Sequence, residues 1–252
     1  MKKKITVERF EIGTEENHKA LTGVSVILAK EGATAGCCVR GSAPGTRETD
    51  LLKSEKTVEQ VHSVVLSGGS AFGLETTCGV MDYLEKQGVG FDVGVAKVPI
   101  VCGAVLFDLA VGDPDIRPDK EMGYFAAKKA SNEILTGNFG AGCGATVGKL
   151  RGFDTVMKGG TGYIELGVEN GLKVGAYVCV NACGEVYEGE TILAGALNDD
   201  KTKIISSHQL MLEGAERDLS GKNTTIGCIL TNAILNKTEC NKVAEVAHNG
   251  YA

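Results

Sequence analysis

The stretch Asn223-Thr224-Thr225-Ile226-Gly227-Cys228-Ile229-Leu230-Thr231-Asn232-Ala233 sets a hydroxyl directly after an asparagine, at the head of an apolar run. Ile226, Cys228, Ile229 and Leu230 predict a buried strand, and the polar run Leu219-Ser220-Gly221-Lys222-Asn223 before it predicts a flexible approach. Such an arrangement can present the Asn223 carbonyl to the Thr224 hydroxyl. Attack there gives an ester, and hydrolysis of the ester leaves Thr224 as a new chain terminus. The freed α-amine, with an ordinary pKa of about 8, can then act as base for its own hydroxyl. Taken alone, the same residues read more readily as a turn leading into a core strand.

Other reactive residue types give weaker patterns. The nine cysteines (37, 38, 78, 102, 143, 179, 183, 228 and 240) are odd in number, contain no Cys-x-x-Cys and sit mostly in apolar runs, so they read as small buried hydrophobes. Ser67-Gly68-Gly69-Ser70-Ala71-Phe72-Gly73 follows an apolar strand and precedes a helix but lacks the lysine of a phosphate loop. Close backbone packing, or an amide pocket at a helix start, is the expected use of its glycines. Asn138 to Ala145 fits a dinucleotide fingerprint only superficially, because a strand-like Thr146-Val147-Gly148-Lys149-Leu150 follows where a helix is required. The histidines at 18, 62, 208 and 248 read as surface or packing residues.

The elements that must position Thr224 are legible in outline. Residues 22–30 and 34–39 read as two strands joined by Glu31-Gly32-Ala33, and Val61 to Leu66 as a short apolar strand. The helix after Gly73 carries Leu74, Cys78, Met81 and Leu84 at core spacing and ends at Gly88. The longest apolar stretch, Ile100 to Val111, is cut by Asp108. Asp119 is placed to cap a helix whose stripe is Met122, Phe125, Ala126 and Ala130. Strands follow over 163–168, 172–181 and 185–187, the first two joined by the hairpin signal Asn170-Gly171. Residues 193–221 read as weakly patterned, with a flexible connector through Asn198-Asp199-Asp200-Lys201. Asn236-Lys237-Thr238-Glu239 resembles a capping box, opening a helix that would bury Cys240, Val243, Ala244 and Ala247.

Composition bounds the rest. A chain of 252 residues, 43% hydrophobic and 23% charged, has the balance of a soluble globular protein, and 35 glycines predict many tight turns. A net charge of −6 without a basic, aromatic-interleaved run argues against a nucleic-acid partner. No apolar run reaches membrane-spanning length, and Met1-Lys2-Lys3-Lys4 lacks the apolar segment of a signal peptide, so a cytoplasmic location without a membrane partner is expected.

Seven blocks, in order, then resemble one family. They are Arg40-Gly41-Ser42-Ala43-Pro44-Gly45-Thr46-Arg47-Glu48, Leu66-Ser67-Gly68-Gly69-Ser70-Ala71-Phe72-Gly73-Leu74, Val98-Pro99-Ile100-Val101, Gly140-Ala141-Gly142-Cys143-Gly144-Ala145-Thr146, Lys158-Gly159-Gly160, Val180-Asn181-Ala182-Cys183-Gly184 and Asn223-Thr224-Thr225-Ile226-Gly227. Together they resemble the DmpA-like self-processing aminopeptidases and amidases, which include β-aminopeptidases and nylon-oligomer hydrolases. The resemblance tips the reading of Thr224 toward chemistry. It implies an α+β fold, a four-layer αββα sandwich of the DmpA type, as one domain over residues 1–252. It also implies cleavage of the Asn223-Thr224 bond, which would make 1–223 an α chain and 224–252 the start of a β chain that looks truncated. Carried over, Thr224 is the nucleophile, Asn181 the amide that stabilises the oxyanion, and Lys158 a cation near the nucleophile. Otherwise Asn181 is a satisfied strand-end asparagine and Lys158 a surface lysine before a glycine turn. The implied protein is a homo-oligomer, without cofactor or metal, that hydrolyses short peptides, amino-acid amides or esters. A catalytically incomplete homologue of the same fold, or an acyltransferase maturing at a threonine, are the alternatives.

Overall fold

A computed structural model describes residues 1–214 and 222–251. The larger sheet contains β1 (Glu11–Asn17), β2 (Thr22–Ala33), β3 (Thr46–Arg47), β4 (Val61–Ser67) and β5 (Val101–Val105), in the order β1-β2-β4-β5-β3. Strand β2 begins with eight buried residues in succession, the signature of a strand covered on both faces. All pairings in this sheet are antiparallel except β4 with β5, whose crossover carries α1 (Thr76–Lys86). Helix α1 packs with α2 (Lys120–Lys128) on one face of the sheet. Val24, Val26, Leu28, Val65 and Val101 from the strands meet Val80, Leu84, Ala126 and Ala127 from the helices there. The two helices nearly touch at Gly79, where a Cβ would lie 1.8 Å from the Lys120 carbonyl oxygen.

The opposite face of that sheet meets a second, three-stranded one, ordered β6 (Gly160–Gly167), β7 (Lys173–Asn181) and β8 (Thr224–Thr231). Ile12, Ile27 and Leu66 pack against Tyr163, Tyr177, Cys179 and Leu230 in the core between the sheets. Tyr177 is fully buried there, and its hydroxyl is shared with Ser25 of β2 at 2.9 Å. Helices and strands in these layers make the fold α+β, as expected.

Sequence and structure differ where packing overrides local pattern. Thr22 to Ala33 is one strand, not half of a hairpin, and residues 34–39 form no strand. Helix α1 buries Thr76, Thr77, Gly79, Val80 and Leu84, while Cys78 and Met81 are half-buried beside the Arg47 guanidinium. Asp119 caps α2 through the Met122 N–H at 2.8 Å, worth about 1 kcal/mol in such positions. The stripe of α2 is rotated to Gly123, Ala126 and Ala127, leaving Phe125 exposed. Residues 196–197 and 204–205 pair across the expected flexible connector. The capping box at Asn236 is formed in full and opens α3 (Lys237–Ala247). Its one buried residue is Lys237, whose amine donates to the carbonyls of Leu51, Lys56 and Val58; Val243 and Val246 stay exposed. All nine cysteines are free, with Cys102, Cys143 and Cys179 fully buried and the rest half-buried. Leu219, Ser220 and Gly221 of the expected flexible run lie outside the described residues. No helix among the described residues is long and apolar enough to cross a membrane.

The N-terminal segment is tied to β6 by Glu165, which accepts from the backbone N–H of Thr6 at 2.9 Å and of Val7 at 3.3 Å, and from the hydroxyls of Thr6 and Tyr163. Desolvation pushes this carboxyl up, but the four hydrogen bonds outweigh it and hold the pKa at about 2, against an ordinary 4.5. A depressed carboxylate stabilises the fold fully above its unfolded pKa and loses that contribution as pH falls from about 4.5 to about 2. Urea midpoints measured from pH 6 down to pH 2 should therefore fall more steeply for the native chain than for Glu165→Gln, the two curves converging at the acid end.

Candidate active site

Tyr177, Cys179 and Asn181 alternate along β7 and are all completely buried on the face turned to the larger sheet. Strand β8 pairs antiparallel with β7, placing Cys228 opposite Tyr177, Ile226 opposite Cys179 and Thr224 opposite Asn181. Residues directly opposite share a face, so Thr224 is the last position of the inter-sheet core on its strand and is half-buried at its mouth. The sequence-predicted nucleophile and amide are thus cross-strand neighbours.

The Asn181 side chain is held from several directions. Its Oδ1 accepts from the Thr146 backbone N–H at 2.9 Å, with the Thr146 hydroxyl at 3.5 Å. Its Nδ2 donates to the Phe107 carbonyl at 2.8 Å and reaches the Lys222 carbonyl at 3.5 Å. The residue is a satisfied buried asparagine as well as a neighbour of Thr224, and the two readings do not exclude one another.

Lys149 is the residue that sequence reasoning missed. It is completely buried, and its Nζ donates to the Asn181 carbonyl at 2.7 Å and the Lys222 carbonyl at 3.0 Å. Burial pushes its pKa down to about 7, opposed by Cys183, and no carboxylate among the described residues is bonded to it. A neutral amine has two N–H bonds and a lone pair. Two carbonyls use the former and leave the latter as a proton acceptor near neutral pH. Its signal in the sequence was a single charged residue inside the otherwise uncharged Ala145–Leu150. Two donors, Asn181 Nδ2 and Lys149 Nζ, therefore converge on the carbonyl of Lys222, one residue before Asn223.

Lys158 stands one step further out. It pairs in register with Thr146, and its amine donates to the Cys143 carbonyl. Burial of that amine pushes its pKa down, opposed by Cys143 and by Asp108. Asp108, the residue that interrupted an apolar run, is itself buried, and it accepts from the Thr22 hydroxyl and the Gly69 N–H at 2.7 Å each. The glycine turn after β4 therefore presents an amide to this carboxylate. Gly69 sits at φ +79° and a Cβ on Gly68 would lie 2.0 Å from the Asp108 Oδ2, so the turn needs glycine at both places. Of the histidines, His62 is buried and accepts from the Ile100 N–H at 3.1 Å, far from this chemistry in the sheet.

Two open clefts, of about 600 and 690 Å³, lie elsewhere, one lined by residues such as Cys37, Thr46, Asp50 and Asn241, the other by residues 4–11 and 130–132. Beside Asn181 the Phe107 and Lys222 carbonyls occupy the space.

A neutral Lys149 in the folded protein binds fewer protons than its unfolded counterpart between pH 7 and about 10.5, so stability gains with pH across that window. Replacing it with methionine removes that slope, takes the Lys149 donor from the Asn181 carbonyl at a cost of roughly 1–3 kcal/mol, and leaves the Lys222 carbonyl with only the 3.5 Å contact to Asn181 Nδ2. Urea midpoints at pH 6, 7.5 and 9 should rise with pH in the native chain more than in Lys149→Met, with the variant less stable at pH 9.

Comparison with known proteins matches a family model described as peptidase family S58 over residues 3–252. The chain is 39% identical over 242 residues to an uncharacterized aminopeptidase of Mycobacterium leprae, covering 91% of this chain and 65% of that one. It is 27% identical over 245 residues to the 6-aminohexanoate-oligomer endohydrolase of Paenarthrobacter ureafaciens, covering 94% and 66%. The L-aminopeptidase D-Ala-esterase/amidase of Ochrobactrum anthropi, described as a variant of the Ntn hydrolase fold, superposes with a TM-score of 0.69 at 16% identity, covering 97% and 67%. The chain spans about two thirds of the length of these relatives.

Proposed function

The chain belongs to peptidase family S58, and on that premise we propose that it is a self-processing amide hydrolase whose nucleophile is Thr224. The observation that carries this reading is the convergence of Asn181 Nδ2 and Lys149 Nζ on the Lys222 carbonyl, with Thr224 directly across the sheet from Asn181. Donors aimed at a carbonyl oxygen are what an acyl-transfer site requires.

In maturation, the Thr224 hydroxyl attacks the Asn223 carbonyl carbon and gives its proton to Lys149, whose pKa of about 7 leaves much of it neutral. The tetrahedral intermediate expels the Thr224 nitrogen, which takes that proton from Lys149, and an ester joins Asn223 to the Thr224 oxygen. Water hydrolyses the ester, leaving a carboxylate on Asn223 and a free α-amine on Thr224. Residues 1–223 are then separate from a segment beginning at Thr224. The Lys222–Asn223 end can withdraw, and a substrate carbonyl can take the position that the Lys222 carbonyl held. There Asn181 Nδ2 donates to the oxyanion, an interaction worth about 3 kcal/mol in comparable sites. Lys158, nearest to Asp108 and Cys143, supplies positive charge at a distance. The substrates we propose are short peptides, amino-acid amides and esters, with 6-aminohexanoate oligomers included because a relative is named for them.

Intact-mass analysis of the purified full chain tests this directly. Two fragments divided between Asn223 and Thr224 are expected, at a rate that rises with pH through about 7, together with hydrolysis of amino-acid p-nitroanilides. Thr224→Ala should abolish both, and Lys149→Arg should slow cleavage at least about a hundredfold, as loss of a general base does. Amide hydrolysis persisting in Thr224→Ala would remove Thr224 from the mechanism.

A further inference from the structure

Among the described residues, Asp108 is the one buried carboxylate beside this site that the proposed chemistry leaves without a task. Its setting is elaborate. Leaving β5, Leu106 donates its N–H to the Ser67 carbonyl at 2.9 Å and accepts from the Ser70 N–H at 2.9 Å. Phe107 follows, and its carbonyl accepts from Asn181 Nδ2 at 2.8 Å. Asp108 then ends the segment with one oxygen on the Thr22 hydroxyl and the other on the Gly69 N–H. Gly68 and Gly144 both give way to it, since a Cβ on either would stand 2.0 to 2.6 Å from its side chain. A peptide carbonyl can point in a fixed direction only when its neighbours on both sides are fixed. Leu106 is held by the sheet. Asp108 is held by its own carboxylate.

We infer that Asp108 is a positioning residue: by anchoring itself to Thr22 and Gly69, it sets the direction of the Phe107 carbonyl and so the orientation of the Asn181 amide toward Thr224. The inference rests on the proposed role of Asn181. It assigns Asp108 no contact with substrate. Hydrogen bonds, more than charge, carry the effect, because both partners of the carboxylate are neutral donors, and Lys158 is the cation it feels. Asp108→Asn keeps an acceptor for the Gly69 N–H, and Thr22 can reverse its hydroxyl to accept from the new amide. Asp108→Ala keeps neither.

Matured protein is therefore assayed per folded molecule, with three variants. Asp108→Ala should lower kcat roughly tenfold or more at little-changed KM, since small misplacements of a reacting group have large effects on rate. Asp108→Asn should recover most of that loss, and Thr22→Val, which removes one anchor and preserves the fold if the alanine variant does not fold, should fall between them. A readout independent of turnover accompanies the assay: the Asn181 side-chain NH2 resonances, assigned by their loss in Asn181→Asp. They should shift in Thr22→Val and shift less in Asp108→Asn. Native-like kcat in folded Asp108→Ala or Thr22→Val, or unmoved Asn181 resonances, would overturn the inference. If the native chain neither cleaves itself nor hydrolyses amides, the proposed function fails, and the resonances alone still decide whether Asp108 positions Asn181.

Discussion

A buried carboxamide carries two donors and an acceptor oxygen, and each buried polar group left unmet costs about 1–3 kcal/mol. Asn181 meets that demand at a crossroads. The Thr146 backbone, the Phe107 carbonyl and the Lys222 carbonyl come from three separate stretches of chain, and its own carbonyl takes the Lys149 amine. The stretches carrying Lys149, Lys222 and Thr224 are all fastened to this one side chain or to its backbone. The two sheets supply the frame, since Tyr177 and Cys179 bury the same face of β7 that ends in Asn181.

The Lys149 amine is the counterpart of that constraint. An ammonium buried among carbonyls is unfavourable as a charge, and with no carboxylate bonded to it among the described residues the Lys149 pKa falls to about 7. Lys237 shows the contrast. It too is buried and donates to three carbonyls, but it braces α3 against residues 51–58, away from the cross-strand pair. Two buried lysines thus serve different ends, and the carbonyls they touch distinguish them: structural loop carbonyls in one case, the carbonyls flanking Thr224 in the other.

Much of this was legible in the sequence because it depended on pattern. The alternating β7 run, the Asn170-Gly171 turn, the Asp119 cap and the Asn236 capping box all follow from local chemistry, and each is formed. What escaped depended on packing between distant segments. Nothing within Lys120 to Lys128 says that Gly123, with room only for a hydrogen beside the Thr76 carbonyl, faces inward in place of Phe125. Residues 34–39 resembled a strand but run beside α3 instead, where Asn241 Oδ1 takes the Cys37 N–H at 2.8 Å. In the site itself, Asn181 and Thr224 could be named from motif blocks, whereas Lys149 could not. Its importance arises from carbonyls 32 and 73 positions away in the chain.

The placement of the Lys222 carbonyl bears on how such a site can avoid acting before it is complete. Donors strong enough to polarise a substrate carbonyl are unsatisfied, and costly, while no substrate is present. Filling them with the chain's own carbonyl, two residues ahead of the proposed nucleophile, removes that cost while the chain is intact. The same contact holds the approach to Thr224 in place, so the segment that occupies the donors is also the segment whose scission would free them. In the proposed maturation, a single pair of hydrogen bonds would do two things in sequence: first order the bond to be broken, and on release present the vacated donors to an incoming carbonyl. On this view the depressed pKa of Lys149 is tuned to the first role, since a fully charged amine would bind the Lys222 carbonyl more tightly yet could take no proton from Thr224.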